Sequence, residues 1–296
     1  MDKINEVVLL AILGIAVSVQ AQIFGKLDTK FFSTGNRRVA IFSEKGEVLW
    51  EHPAKGIHDA WLLPNGNVLF ADGDVHEVTP DHKEIFTYHP PVGRGDGAYS
   101  CQRLENGNTL VGENASGRIV EVDPKGKVVV SFMTKFDPKV PPHHHMRYVR
   151  KLKNGNYLVG QSKSNFVREY APDGKVVWEV ATKKGLAFAG IRLENGNTLV
   201  STLHDITEYS PDKKIVWEFN KKDIPGVHLQ NLTGMHVLPN GNIVIGCYSA
   251  YNREGEGNSI IEITREKKMV WRFVNKRDRH MMGVTKLIPG LVHPVR

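Results

Sequence analysis

The tripeptide Asn-Gly-Asn recurs at positions 65, 106, 154, 195 and 240, each time after Leu and one further residue, as LPNGN, LENGN, LKNGN, LENGN and LPNGN. The intervals of 41, 48, 41 and 45 residues have the period of a propeller blade and not of a helical repeat. Asn and Gly both tolerate positive φ, so each copy is expected to form a tight type I′ hairpin turn. A second turn follows in each unit, DPKGK at 123, APDGK at 171 and SPDKK at 210, with Pro setting φ and Asp or Gly completing the bend. Between the turns lie short runs such as TLVG, RIVEV and KVVVSF, which have no helical spacing. Each unit therefore reads as four antiparallel strands, a to d.

Aligning the units yields three informative columns. Ala71, Gly112, Gly160, Ser201 and Gly246 end strand b and are all small, as where backbones crowd. Trp50, Phe86, Val130, Trp178, Trp217 and Trp271 share an apolar place in strand d that suits packing between blades. Glu77, Glu121, Glu169, Glu208 and Glu262 share a place in strand c. One glutamate per blade cannot converge on a single site, so these are read as structural, paired with basic residues on adjacent strands. As exposed pairs they would contribute under ~1 kcal/mol each.

A unit of about 44 residues and the 260 residues from 37 to 296 give six blades, so the fold class is all-β, a six-bladed β-propeller. The chain ends with MMGVTKLIPGLVHPVR, enough for strands a and b, while RRVAIFSEKGEVLWEH near its start resembles strands c and d. A shared blade, 37–52 completing 281–296, closes the ring and removes exposed edges. Cys101 in blade two and Cys247 in blade five would then lie on opposite sides, too far apart for a disulfide.

Ahead of the repeats, the apolar core Val7 to Val19 is too short for a bilayer and is followed by Val19-Gln20-Ala21, the small-residue spacing of a signal-peptidase site. Residues 1–21 are expected to be a signal peptide, 22–36 a linker and 37–296 the propeller, in a secreted or periplasmic protein with no integral membrane span. Removing Asp2, Lys3 and Glu6 with the signal takes the net charge from +7 to +8. A basic exported protein meets acidic glycans, sulfate or phosphate esters rather than nucleic acid, although simple solubility charge explains the same figure.

Units of the form LPNGNxL followed by EVDPxGKxVW resemble the quinoprotein-like (PQQ-like repeat) propellers, over nearly all of the mature chain. The HDxxLLPNGN form at His58 and Asp59 is similar to secreted arylsulfotransferase-like propellers. The first resemblance implies the fold; the second implies sulfuryl transfer. The cofactor-binding features of the pyrroloquinoline quinone enzymes are not found in the sequence, and no cofactor is assigned.

In a four-stranded blade the b–c loops and the blade-to-blade connections emerge on one face, opposite the repeated turns. Seven of the 13 histidines lie in the connections (His58, His89, His143, His144, His145, His228, His280), and His204 lies in a b–c loop. Histidine near neutral pH serves as base, nucleophile or metal ligand. The run His143-His144-His145 points its side chains in different directions, so metal is its minority reading and no metal is assigned. His58-Asp59 is an oriented catalytic pair or a loop-capping aspartate, with Arg147 suited to a sulfate or carboxylate.

The expected site is a pocket at the upper end of the axis, with His58, Asp59 and Arg147 as candidate catalytic residues and Tyr99, His145, His204 and His236 as ligand-binding residues. The partner is a small anionic molecule or saccharide, bound by a monomer, with Lys183, Lys184, Lys221, Lys222, Lys276, Arg277 and Arg279 beside the loops. An enzyme using an axial histidine for sulfuryl transfer or glycan cleavage, and an envelope scaffold, are the alternatives. There is no P-loop, Rossmann glycine pattern, HExxH or CxxC, and YNREGEGNS at 251–259 lacks the ligand order of a calcium loop.

Overall fold

The computed structural model describes residues 21–35, 37–92, 96–137, 139–183, 185–248, 259–275, 277–278, 280–291 and 296. The expected signal segment, apart from Ala21, lies outside these residues, as do the insertion 251–258 and the basic residues Lys184, Lys276 and Arg279. Among the described residues no helix is long and apolar enough to cross a membrane.

The chain forms six antiparallel blades of four strands, five of them simple meanders and the sixth built from both ends of the chain. At the start come β1 (Gln22–Gly25), β2 (Phe31–Thr34), β3 (Arg38–Phe42) and β4 (Val48–Pro53). Blade 1 follows as β5 (Asp59–Leu62), β6 (Val68–Ala71), β7 (Val75–Val78) and β8 (Glu84–Tyr88). Blade 2 is β9 (Ala98–Arg103), β10 (Thr109–Glu113), β11 (Arg118–Val122) and β12 (Val128–Met133). A short 3₁₀ turn, Pro142–His144, leads into blade 3: β13 (Val149–Lys151), β14 (Tyr157–Gln161), β15 (Phe166–Tyr170) and β16 (Val176–Ala181). Blade 4 is β17 (Gly190–Arg192), β18 (Thr198–Ser201), β19 (Asp205–Tyr209) and β20 (Ile215–Asn220). Blade 5 is β21 (Leu232–Val237), β22 (Ile243–Cys247), β23 (Ile260–Ile263) and β24 (Met269–Val274), and β25 (Val284–Lys286) follows.

Ring closure is shared between the ends of the chain, but not two strands from each. Blade 6 has the order β25-β2-β3-β4, so the C-terminal segment supplies only the innermost strand and the N-terminal segment the other three. The expected linker 22–36 therefore contains two strands. Phe31 and Phe32, both fully buried, carry the apolar content of strand b, whereas the described residues after β25 form only a turn, Leu291 N–H donating to Ile288 O at 3.0 Å. The first strand, β1, pairs with β24 and adds a fifth strand to blade 5.

The repeated turn is not the expected type I′ hairpin. In all five copies only Gly takes positive φ, 85 to 87°, whereas type I′ needs two such residues. Leu63 O accepts the Gly66 N–H at 2.9 Å and Leu63 N–H donates to Asn67 O at 2.8 Å, a three-residue loop closed by one left-handed glycine. The first Asn instead uses its side chain, Asn65 Oδ1 accepting the Asn67 N–H at 3.1 Å.

The second Asn belongs to the glutamate column. Asn67, Asn156, Asn197 and Asn242 donate from Nδ2 to the glutamate of their own blade at 2.6–2.8 Å, and Asn108 does so at 3.4 Å. The same carboxylates reach the next blade: Glu77 to Arg103, Glu121 to Lys151, Glu169 to Arg192, Glu208 to Arg265 and Glu262 to Lys286. The structural reading holds, but these glutamates are 1–7% exposed, not surface groups. Removing one partner of a buried pair costs roughly 3–5 kcal/mol, because the other charge stays buried.

Six apolar clusters fill the ring, one in each seam between neighbouring blades. Trp50, Trp178 and Trp217 from strand d each donate an indole N–H to a carbonyl in the next blade's c–d turn, at 2.8–3.2 Å. The small-residue column is crowded as expected. A Cβ on Gly160 would lie 2.0 Å from Phe188 O, and one on Gly246 2.4 Å from Met281 O. Cys101 and Cys247 are buried and unbonded in different seams.

Candidate ligand site at the head of the axis

The innermost strands β5, β9, β13, β17, β21 and β25 surround the axis, and the residues that lead into them converge where the blades meet. A cavity of about 380 Å³ opens there. Its walls come from the blade-to-blade connections and b–c loops, the two kinds of segment that the repeat leaves variable.

Blades 1 to 3 supply a polar wall. His58, just ahead of β5, stacks on Tyr99 of β9 with ring centroids 3.7 Å apart and planes 20° apart. The guanidinium of Arg147, in the connection to β13, lies 5.1 Å from the same ring centroid. Tyr99 donates its hydroxyl proton to Asp96, and His143 Nδ1 lies 2.5 Å from that hydroxyl and 3.0 Å from Asp96 Oδ1. The proton of this histidine nitrogen is thus fixed toward the Asp96–Tyr99 pair. Arg147 also donates to the carbonyl of His143, which ties the 3₁₀ turn to the cavity wall.

Burial dominates the electrostatics. It drives the His58 imidazole well below its ordinary pKa, with the nearby Arg147 and His143 charges acting in the same direction. Its Nδ1 is buried with no hydrogen-bond partner among the described residues, and His144 Nδ1 is in the same state. Burial, then the Asp96 hydrogen bond, raises the Tyr99 phenol far above its ordinary value. Burial lowers Arg147, though a guanidinium remains charged at physiological pH. Six Lys and Arg residues are buried among the described residues: Arg38, Arg147, Arg150, Arg168, Lys286 and Arg296. All but Arg147 have a carboxylate within 4 Å among the described residues.

Blades 4 to 6 supply the opposite wall, and it is mainly apolar: Leu186 and Phe188 entering blade 4, Leu203 in its b–c loop, and Met282 entering blade 6. Asn231, Tyr248 and His280 complete that side, the last two with ring centroids 4.2 Å apart.

Of the residues singled out in the sequence, His58, Tyr99 and Arg147 meet in this cavity and four others do not line it. Asp59 points the other way along β5, fully buried. Its Oδ2 accepts from Arg150 at 2.7 Å, Ser100 Oγ at 3.0 Å and the Cys101 N–H at 3.2 Å, and its Oδ1 accepts from Arg150 at 3.0 Å. Strand alternation puts residues 58 and 59 on opposite faces. Asp59 thus joins blades 1, 2 and 3 and does not orient His58.

His145 has Nδ1 3.1 Å from Asn114 O and Nε2 2.8 Å from Val140 O, so both ring nitrogens are engaged by backbone. His204 is exposed on its loop, where the neighbouring Leu203 turns to the cavity instead. His236 is fully buried in β21 and accepts the Lys286 N–H on Nδ1 at 3.0 Å. Burial, with Arg296 and Lys286, lowers its pKa to about 3. Among the described residues no group of three His, Cys, Asp or Glu side chains is placed to hold a metal ion.

The sequence reading omitted Asp96 and the apolar wall. Its signal was present in the connection TKKGLAFAG, whose Leu186 and Phe188 stand out among charged connections.

No protein-family model and no curated protein sequence matches the chain. Solved structures do. A protein of unknown function from Bacteroides caccae is 26% identical with a TM-score of 0.75, over 91% of this chain and 100% of its own. A streptogramin B lyase is 13% identical with a TM-score of 0.62, over 90% of this chain and 88% of its own. Virginiamycin B lyase from Staphylococcus aureus is 13% identical with a TM-score of 0.56, over 86% of this chain and 99% of its own. The similarity to the two lyases shows the propeller fold alone.

Proposed function

We propose that this protein is an exported propeller that binds a small anionic molecule or an anionic saccharide in the axial cavity, with Arg147 as the counter-charge. One observation supports this above the rest. Arg147 is 5% exposed and lines the cavity, yet no carboxylate pairs with it among the described residues. An unpaired buried charge is costly, and an incoming anion that makes charge-assisted hydrogen bonds offsets that cost. Calorimetric titration with sulfate, glucuronate and hexanoate tests the reading. At least one should bind with affinity that falls with salt, and Arg147→Gln should abolish that binding. Unchanged binding in Arg147→Gln would refute it.

His58 favours a second reading, an enzyme of the sulfuryl-transfer or glycan-cleaving kind, in line with the resemblance of the His58-Asp59 segment to arylsulfotransferase-like propellers. A neutral imidazole with a free nitrogen beside a guanidinium is equipped to take a proton from a group held on Arg147. Under this reading His58→Ala removes turnover and leaves binding nearly intact. Under the binding reading a screen of sulfate esters and glycans finds no turnover to lose.

A further inference from the structure

The cavity is divided by blade. The buried cation Arg147 and the side chains of His58, Tyr99, His143 and His144 come from blades 1 to 3, while the apolar Leu186, Phe188, Leu203 and Met282 come from blades 4 to 6 across the axis, beside Asn231, Tyr248 and His280. A saccharide carries hydroxyls around its whole ring and would leave several of them facing the apolar wall without partners, at a cost for each unpaired polar group. A bare inorganic anion would satisfy Arg147 and leave that wall in water. Neither matches a cavity that sets an apolar stretch of blade 4 opposite a buried cation.

We infer, building on the assignment of Arg147 as the anion's partner, that the ligand is an amphiphile: one carboxylate or sulfate head on Arg147 and an apolar body lying across the axis against Leu186, Phe188 and Leu203. The cavity of about 380 Å³ is within the size range of small-molecule sites, large enough for a body of several carbons. The head is anionic because the buried cation that faces it has no carboxylate of its own among the described residues. The body is apolar because blade 4 turns Leu203, and not its neighbour His204, toward the cavity.

The test is a calorimetric series on the full mature chain with acetate, hexanoate and decanoate and their matched alcohols, on wild type, Arg147→Gln and the double variant Leu186→Asn/Leu203→Asn. Both leucines are half-buried loop residues, so the double variant keeps the packed seams. In wild type the affinity should rise at least about tenfold from acetate to decanoate, given the apolar area a longer chain buries. The double variant should flatten that rise. Decanol should bind at least about tenfold more weakly than decanoate, and Arg147→Gln should erase that difference.

Equal affinity for acetate and decanoate, with Arg147 still required, would overturn the amphiphile and leave the anion reading standing. Decanol binding as well as decanoate would overturn the anion reading itself. A chain-length dependence that survives in the double variant would place the apolar body elsewhere and overturn the inference.

Discussion

Arg150 holds Asp59 from a strand two blades away, its Nη1 and Nη2 donating to the two carboxylate oxygens at 2.7 and 3.0 Å. Arg150 also lies 4.9 Å from the Trp61 ring centroid and 5.0 Å from that of Tyr148, so the pair forms part of the packing around the axis. Asp59→Asn removes the charge and leaves a buried guanidinium without its bidentate partner. The unfolding free energy in urea should fall by roughly 3–5 kcal/mol. A change under ~1 kcal/mol would show that the pair is not structural.

Ring closure depends on a single strand. A chain truncated after Gly283 loses β25, which exposes the inner edge of β2, removes the Lys286 partner of Glu262 and takes away Arg296, which donates to Ala60 O at 2.7 Å. A loss of about 5 kcal/mol corresponds to a melting temperature lower by roughly 10 °C for a domain of this size. An unchanged melting temperature would contradict the closed ring.

Acid should destabilise the protein from within. His236 has a folded-state pKa of about 3 against an ordinary 6.5. Between those values the unfolded chain binds more protons, so stability is intact above pH 6.5 and falls as the pH drops toward 3. From pH 7 to pH 5 the loss from this residue is about 2 kcal/mol, and the depressed His58 acts in the same direction. Urea titrations at the two pH values measure it, and His236→Asn, which keeps an acceptor for the Lys286 N–H, should reduce the slope. An unaltered slope would assign the acid sensitivity to other groups.

Export is tested at the other end of the chain. Cleavage after Ala21 would leave Gln22, the first residue of β1 and the partner of Val274, as the new N-terminus. N-terminal sequencing of the protein recovered from outside the cytoplasm should begin at Gln22. Intact Met1 in the mature protein would exclude the signal peptide.

What was legible in the sequence follows from what repeats. Asn-Gly-Asn, the strand-d tryptophans and the strand-c glutamates each have one local job per blade, so alignment of the copies against each other revealed six blades and their inward and outward faces. The turn type was misjudged because Asn-Gly permits two loop geometries and the side chain of the first Asn decides between them. The origin of strand b in blade 6 was hidden for a related reason, since FFST lacks the repeat's turn and its inner partner, β25, lies at the other end of the chain. In the site, His58, Tyr99 and Arg147 were found because all three were expected at the upper end of the axis, where the connections enter the innermost strands. His145, from a connection, and His236, from within strand a, were expected in the same pocket, but burial against carbonyls or under the axis depends on packing across blades. Leu186 stood out among charged connections and Leu203 did not, but neither could be tied to a ligand, since an apolar side chain acquires that meaning only once the opposite wall is known.

The most direct measurement of the central claim is a crystal structure of the protein grown with decanoate. The account predicts a carboxylate within hydrogen-bond distance of the Arg147 guanidinium and the alkyl chain against Leu186, Phe188 and Leu203. Decanoate bound elsewhere, with Arg147 paired to a carboxylate of the protein itself, would contradict it.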